Sequence, residues 1–111
     1  MHIDLTSEAL LSQLGYTKTE HTIEQMEETI NNTNGFNNFS KHLLSLHDNL
    51  AHLKGFIALS NSRNVFKIKC SEDVPKETQE EFNSVVTHWA DKHKINIEKV
   101  HNKPTYYILG Q

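Results

Sequence analysis

Apolar residues change rhythm at Gly55. Before it they recur every three or four positions, and after it they alternate, interrupted by one more helical stretch. The first periodic run predicts a helix over about Glu8–Leu14, with Leu10, Leu11 and Leu14 apolar, Thr6 or Ser7 as its cap and Gly15 as its stop. A second, over about Glu20–Asn31, carries a narrow stripe of Ile23, Met26 and Ile30 on an acidic body. The third, about Phe36–Lys54, has the strongest pattern: Phe39, Leu43, Leu46, Leu50 and Leu53 advance by fours and threes along one face. Gly55 ends it.

Phe56–Ser60 then reads as a mostly buried strand and Asn61-Ser62-Arg63-Asn64 as a turn. Val65–Cys70 alternates, with Phe66, Ile68 and Cys70 on one face and Val65, Lys67 and Lys69 on the other. Pro75 suits the first turn of a fourth helix. Its acidic start (Glu77, Glu80, Glu81) and basic end (Lys92, His93, Lys94) both match the helix dipole. Its apolar stripe of Phe82, Val85, Val86, Trp89 and Ala90 places Trp89 in the core between that helix and the sheet. Ile95–Val100 and Thr105–Leu109 form a second hairpin around His101-Asn102-Lys103-Pro104. The order predicts an α+β fold: N-terminal helices, then hairpin, helix and hairpin, giving a four-stranded antiparallel sheet packed on helices. Residues 1–111 read as one domain, with 1–35 a helical extension and 36–111 the core.

Composition adds one tension. Only 36% of the 111 residues are hydrophobic, below the roughly 45–50% of ordinary domains with Gly counted, and Asn, Thr and Ser crowd the stretch from Asn31 to Asn38. Either that stretch is a loop, or a second subunit completes the core. The formal charge of −3 offers no global attraction to nucleic acid or anionic lipid. It is uneven: residues 1–54 hold three Lys against seven acidic groups, and residues 55–111 hold seven Lys and one Arg against seven. An anion-binding surface would belong to the second part. Cys70 is the sole cysteine, which suits a reducing compartment. With no basic, apolar leader and no run near ~18 apolar residues, the expectation is a cytoplasmic protein without a membrane partner.

Eight histidines invite a metal reading, but spacing opposes it. His42/His47, His47/His52 and His88/His93 each lie five apart, ~140° around a helix axis, whereas shared ligation needs three or four. His21/Glu24 and His88/Asp91 are well spaced but supply two ligands where zinc takes three or four. His42, His47 and His93 read instead as packed, hydrogen-bonded side chains, His93 under Trp89. Cys70 ends an inward-facing strand near Glu72 and Asp73, which would raise a thiol pKa, so it is no nucleophile. No serine-nucleophile motif, phosphate-cradling Gly loop or dinucleotide fingerprint occurs. The expectation is no catalytic, cofactor or metal site.

Leu10-Leu11-Ser12-Gln13-Leu14-Gly15-Tyr16-Thr17 resembles the first helix and turn of helix-turn-helix DNA-binding domains. That resemblance would make the next helix the DNA reader. It presents Glu20, Glu24, Glu27 and Glu28 without one Arg or Lys, and carboxylates repel the phosphates that supply most affinity. A helical hairpin packed on the sheet is expected instead. From Phe36 onward the order helix, hairpin, helix, hairpin is similar to roadblock and longin-like modules, small domains that dimerise and scaffold other proteins. The likeness is one of topology. It lacks a third C-terminal helix and adds two N-terminal ones.

Together these patterns point to a non-enzymatic interaction or regulatory module acting through protein contacts, with itself as a homodimer or with another protein. The expected dimer surface is Tyr106, Tyr107 and Ile108. This uncharged strand belongs in the middle of the sheet or under a covering element, and a subunit is the preferred cover. The alternative from another class is a nucleic-acid-binding accessory protein using Arg63, Lys67 and Lys69, extended by Lys99 and Lys103 if the hairpins adjoin. Against it, no aromatic residues are expected to interleave with those lysines to stack bases. A weaker third reading is a small hydrolase or nuclease assembling His and carboxylates from separate segments.

Overall fold

The computed structural model describes residues 7–60 and 63–111. Thr6 as a cap and Asn61-Ser62 as turn residues lie outside the described residues. Among those described, the elements run α1 (Ser7–Gln13), α2 (Glu20–Asn32), α3 (Phe36–Leu50), a 3-10 turn (Ala51–Leu53), β1 (Gly55–Leu59), β2 (Phe66–Cys70), α4 (Lys76–His93), β3 (Asn96–Lys99) and β4 (Thr105–Gly110). The α+β order read from the rhythm is the observed one.

Local chemistry sets most boundaries. Gly15 adopts φ 84 just after α1, while the Tyr16 N–H reaches back to the Leu11 carbonyl at 2.9 Å. Thr19 caps α2 in a reciprocal box with Thr22, each side chain accepting the other's backbone N–H. Gly55 is not what stops α3. The helix tightens into the 3-10 turn, and Lys54 supplies the left-handed cap at φ 59. Gly55 opens β1 instead, where a Cβ would press on Leu50 and the Phe82 ring at 3.0–3.1 Å. Its role is close packing.

All strand pairs are antiparallel, in the order β1-β2-β4-β3. β4 therefore lies inside the sheet, hydrogen-bonded to β2 on one side and β3 on the other. Of the placements expected for Tyr106–Ile108, the middle of the sheet is the observed one, and the preferred one, an edge covered by a second subunit, is corrected: both neighbours come from the same chain. An uncharged strand is suited to that position, since it has no edge to protect.

Register places Ile57, Ile68 and Tyr106 in one row, and Leu59, Phe66 and Ile108 in the next, on the inner face. Against it lie α3 and α4: Phe36 stacks on Phe66 at 5.3 Å and Phe82 meets Tyr106 at 6.1 Å. Leu10, Leu11, Leu14 and Met26 from α1 and α2 join the same hydrophobic cluster. Tyr106 is buried with its hydroxyl on Asn83 Oδ1 at 2.8 Å, and burial raises its pKa. Tyr106 and Ile108 thus serve the core of their own chain.

The edges are closed differently. On β1, the outward N–H of Ile57 donates to His47 Nδ1 at 3.0 Å, and that of Leu59 donates to the Tyr16 hydroxyl at 2.9 Å. Two side chains from the helical layer stand where another strand would pair. Gln25 adds a bond from its amide to the Ser60 carbonyl at 3.2 Å. The α1–α2 hairpin therefore packs along the β1 edge, where a covering of the sheet was expected. The β3 edge is short, carries Glu98 and Lys99, and has a register shift at Asn96/Ile97, the usual defences against strand addition.

Candidate binding surfaces

The outer face of the sheet gathers Arg63, Lys67 and Lys69, together with partners that the sequence separates. Pairing puts Phe56, Lys69 and Thr105 in one row, and Ala58, Lys67, Tyr107 and Glu98 in the next. Arg63 reaches over from the β1–β2 turn. Its guanidinium lies 4.9 Å from the Tyr107 ring centroid and donates to Glu98 Oε2 at 2.8 Å. Lys67, Lys69 and Tyr107 are half-buried, as expected when long stems lie along a sheet. Phe56 and Leu109, the large exposed hydrophobics among the described residues, both point to this side, at 39% and 40% exposure. Ala58 and Val65 on the same face are buried, which narrows the accessible area to the rows through Lys69 and Tyr107 and to Leu109.

Two readings of this face change. Aromatic side chains do interleave with the cations, because pairing brings Phe56 beside Lys69 and Tyr107 beside Lys67. Lys99 does not extend the cluster. It pairs with Tyr106, which puts it in an inner-face row opposite in parity to Lys67 and Glu98. Of the predicted dimer residues, Tyr107 alone reaches the outer face.

The second surface is a cleft of about 480 Å³ between α3 and α4, on the side of the helical layer away from the sheet. Its floor is Leu46, Val85 and Trp89. Trp89 is buried as expected, but between helices: its indole N–H donates to the His42 carbonyl at 3.1 Å, and its ring meets Phe39 edge-on at 6.4 Å. His42 and His93 stack at 3.9 Å with planes 17° apart, and His93 meets Trp89 edge-on at 5.9 Å. Spacing along one helix could not show this pair, since its members come from two helices. Desolvation, then His42, then Lys92 hold the His93 pKa below the ordinary imidazole value. A metal must lie in the plane of each ring that binds it, about 2 Å from the nitrogen. Near-parallel rings 3.9 Å apart do not converge on one ion.

His47 accepts through Nδ1, so its ring proton sits on Nε2. Cys70 is buried with its thiol on the Leu53 carbonyl at 3.5 Å, and burial followed by Asp73 raises its pKa. It stays a protonated thiol. His21, Glu24 and Glu28 line a shallow polar recess beside Ser60, but no group of three or more His, Cys, Asp or Glu among the described residues could hold a metal ion. No helix among them is long and apolar enough to cross a membrane.

Comparison with known proteins finds no family model that fits this chain and no similar curated protein or solved structure. The topological likeness to roadblock and longin-like modules thus gains no structural counterpart.

Proposed function

We propose that this chain is a non-enzymatic interaction module that works as a homodimer, two copies stacking the outer faces of their sheets. The observation that carries it is the composition of that face. Tyr107 and Leu109, two residues apart on β4, give it an aromatic and apolar centre, with Phe56 to one side on β1. Aromatic side chains and Arg, here Arg63 over Tyr107, are what interfaces favour. Its central row is also self-complementary. Tyr107 on β4 is flanked by Lys67 on β2 and Glu98 on β3, each one strand away, ~4.8 Å to either side. A twofold axis parallel to β4 and above Tyr107 sets each Lys67 over the partner's Glu98 row position and each Tyr107 against its counterpart. Isologous contacts require this symmetry. Both edges of the sheet being blunted, the face is the route left for sheet-to-sheet association.

Light scattering at low micromolar concentration tests this. The wild type is expected to be a dimer, and Tyr107→Lys combined with Leu109→Lys a folded monomer. A wild-type monomer, or a double variant that stays dimeric, refutes it.

Single-stranded nucleic acid is the second reading, favoured by Arg63 over Tyr107 and by Phe56 beside Lys69. Arg63 is already committed to Glu98, which leaves Lys67 and Lys69 as the cations of this face without an ion pair among the described residues. So few phosphate contacts give weak binding that collapses with salt. Sub-micromolar oligonucleotide binding at physiological salt, lost in Lys67→Glu/Lys69→Glu, would transfer the face to that reading.

A further inference from the structure

The α3–α4 cleft lies apart from the sheet face, and the core residues Leu46 and Trp89 form its floor together with Val85. Its volume of about 480 Å³ falls within the ~300–1,000 Å³ of small-molecule sites. Its lining combines an apolar floor with a rim of one lysine, three histidines and no carboxylate. From α3 come His42, with Ser45 and Asn49 as neutral hydrogen-bonding groups; from α4 come His88, Lys92 and His93. These four are all the titratable or charged groups that line it, and none is a carboxylate. Both helices repeat in step here: positions 42, 45, 46 and 49 on α3 face 85, 88, 89, 92 and 93 on α4.

We propose that this cleft is a binding site for a flat, apolar monoanion of the aryl carboxylate class, its ring against Trp89, Leu46 and Val85 and its carboxylate toward Lys92 and the imidazoles.

The stacked pair makes the site proton-linked. With two imidazoles 3.9 Å apart and Lys92 nearby, a proton on His93 meets both a desolvated position and positive neighbours. A bound carboxylate offsets that field. It stabilises protonated His93, so binding takes up a proton and tightens as pH falls. Neutral aromatic ligands gain the floor contacts without the charge interaction and carry no such linkage. The Trp89 indole N–H is a direct reporter, because the chain holds one tryptophan.

The test uses 1-naphthoate as anionic probe and 1-naphthamide as its neutral analogue, read by NMR shifts of the Trp89 indole N–H and the His42 and His93 ring carbons. The expected result is saturable binding of naphthoate at submillimolar concentration, about three- to tenfold tighter near pH 5.5 than near pH 7.5, with naphthamide about fivefold weaker or more. Lys92→Gln, a surface change outside the core, should weaken naphthoate severalfold, and His93→Gln should reduce the pH dependence, leaving what His42 and His88 contribute. No saturable shift of these resonances, equal affinity for naphthamide, or pH-independent binding by the wild type would each overturn the proposal. Because the cleft lies on the helical side, these outcomes are independent of dimerisation through the sheet.

Discussion

Tyr16→Phe isolates one hydrogen bond that protects the β1 edge. The change removes a single oxygen and keeps the ring, which packs against the hydrophobic cluster. What it withdraws is the acceptor for the Leu59 N–H, now 2.9 Å away. Leu59 is 3% exposed, so water cannot readily replace the hydroxyl. The donor would be left buried and unpaired, at a cost of about 1–3 kcal/mol. Against a total stability of order 5–15 kcal/mol, that is a large fraction. At roughly 4 °C per kcal/mol for a chain of this size, Tm should fall by roughly 4–12 °C. Urea melts of both proteins provide the free energies, with an unchanged m-value showing that the denatured state is not the cause. Hydrogen exchange at the Leu59 amide should accelerate by a factor matching the measured loss, while Ile57, bonded to His47, responds less. If Tyr16→Phe melts with the wild type and the Leu59 amide stays equally protected, side-chain capping is not what closes this edge.

Three further outcomes follow from the packing. Gly110→Ala should cost more than Gly15→Ala: both require positive φ, at 115 and 84, but a Cβ at Gly110 would lie 2.8 Å from the Asn34 backbone, whereas at Gly15 nothing lies within 4 Å. Thermal melts of the two variants should differ by several degrees, and equal melts would refute the account. Trp89→Ala should lose about 3–5 kcal/mol, and a urea midpoint near that of the wild type would show that the α3–α4 contact contributes little. For pH, the His93 pKa is lower in the folded chain than in the unfolded one, so the unfolded state binds more protons as pH drops below about 6.5. Stability should therefore fall with acidification through that window and recover above it. His93→Gln should flatten that part of the curve, and parallel curves for the two proteins would contradict the assignment.

Periodicity alone determined much of this protein. The three- and four-residue recurrence of Phe39, Leu43, Leu46 and Leu50 and the alternation of Phe66, Ile68 and Cys70 are local properties, because which face a side chain occupies depends only on the backbone repeat. The α+β order and the burial of those residues followed, as did the hydrogen-bonded role of His47. His42, by contrast, is exposed and His93 half-buried, stacked on one another with no ring hydrogen bond among the described residues. Strand order was not local. Whether Thr105–Leu109 lies at an edge depends on partners some forty residues away, and only the β2–β4 pairing decided that Tyr106 and Ile108 face their own core. The same pairing brought Phe56 to Lys69 and Tyr107 to Lys67, so the sheet face has a character that its separate segments lack. Spacing along one helix ruled out shared ligation within it. It is blind to contacts between helices, and the stack of His42 on His93 exists because α3 and α4 pack side by side.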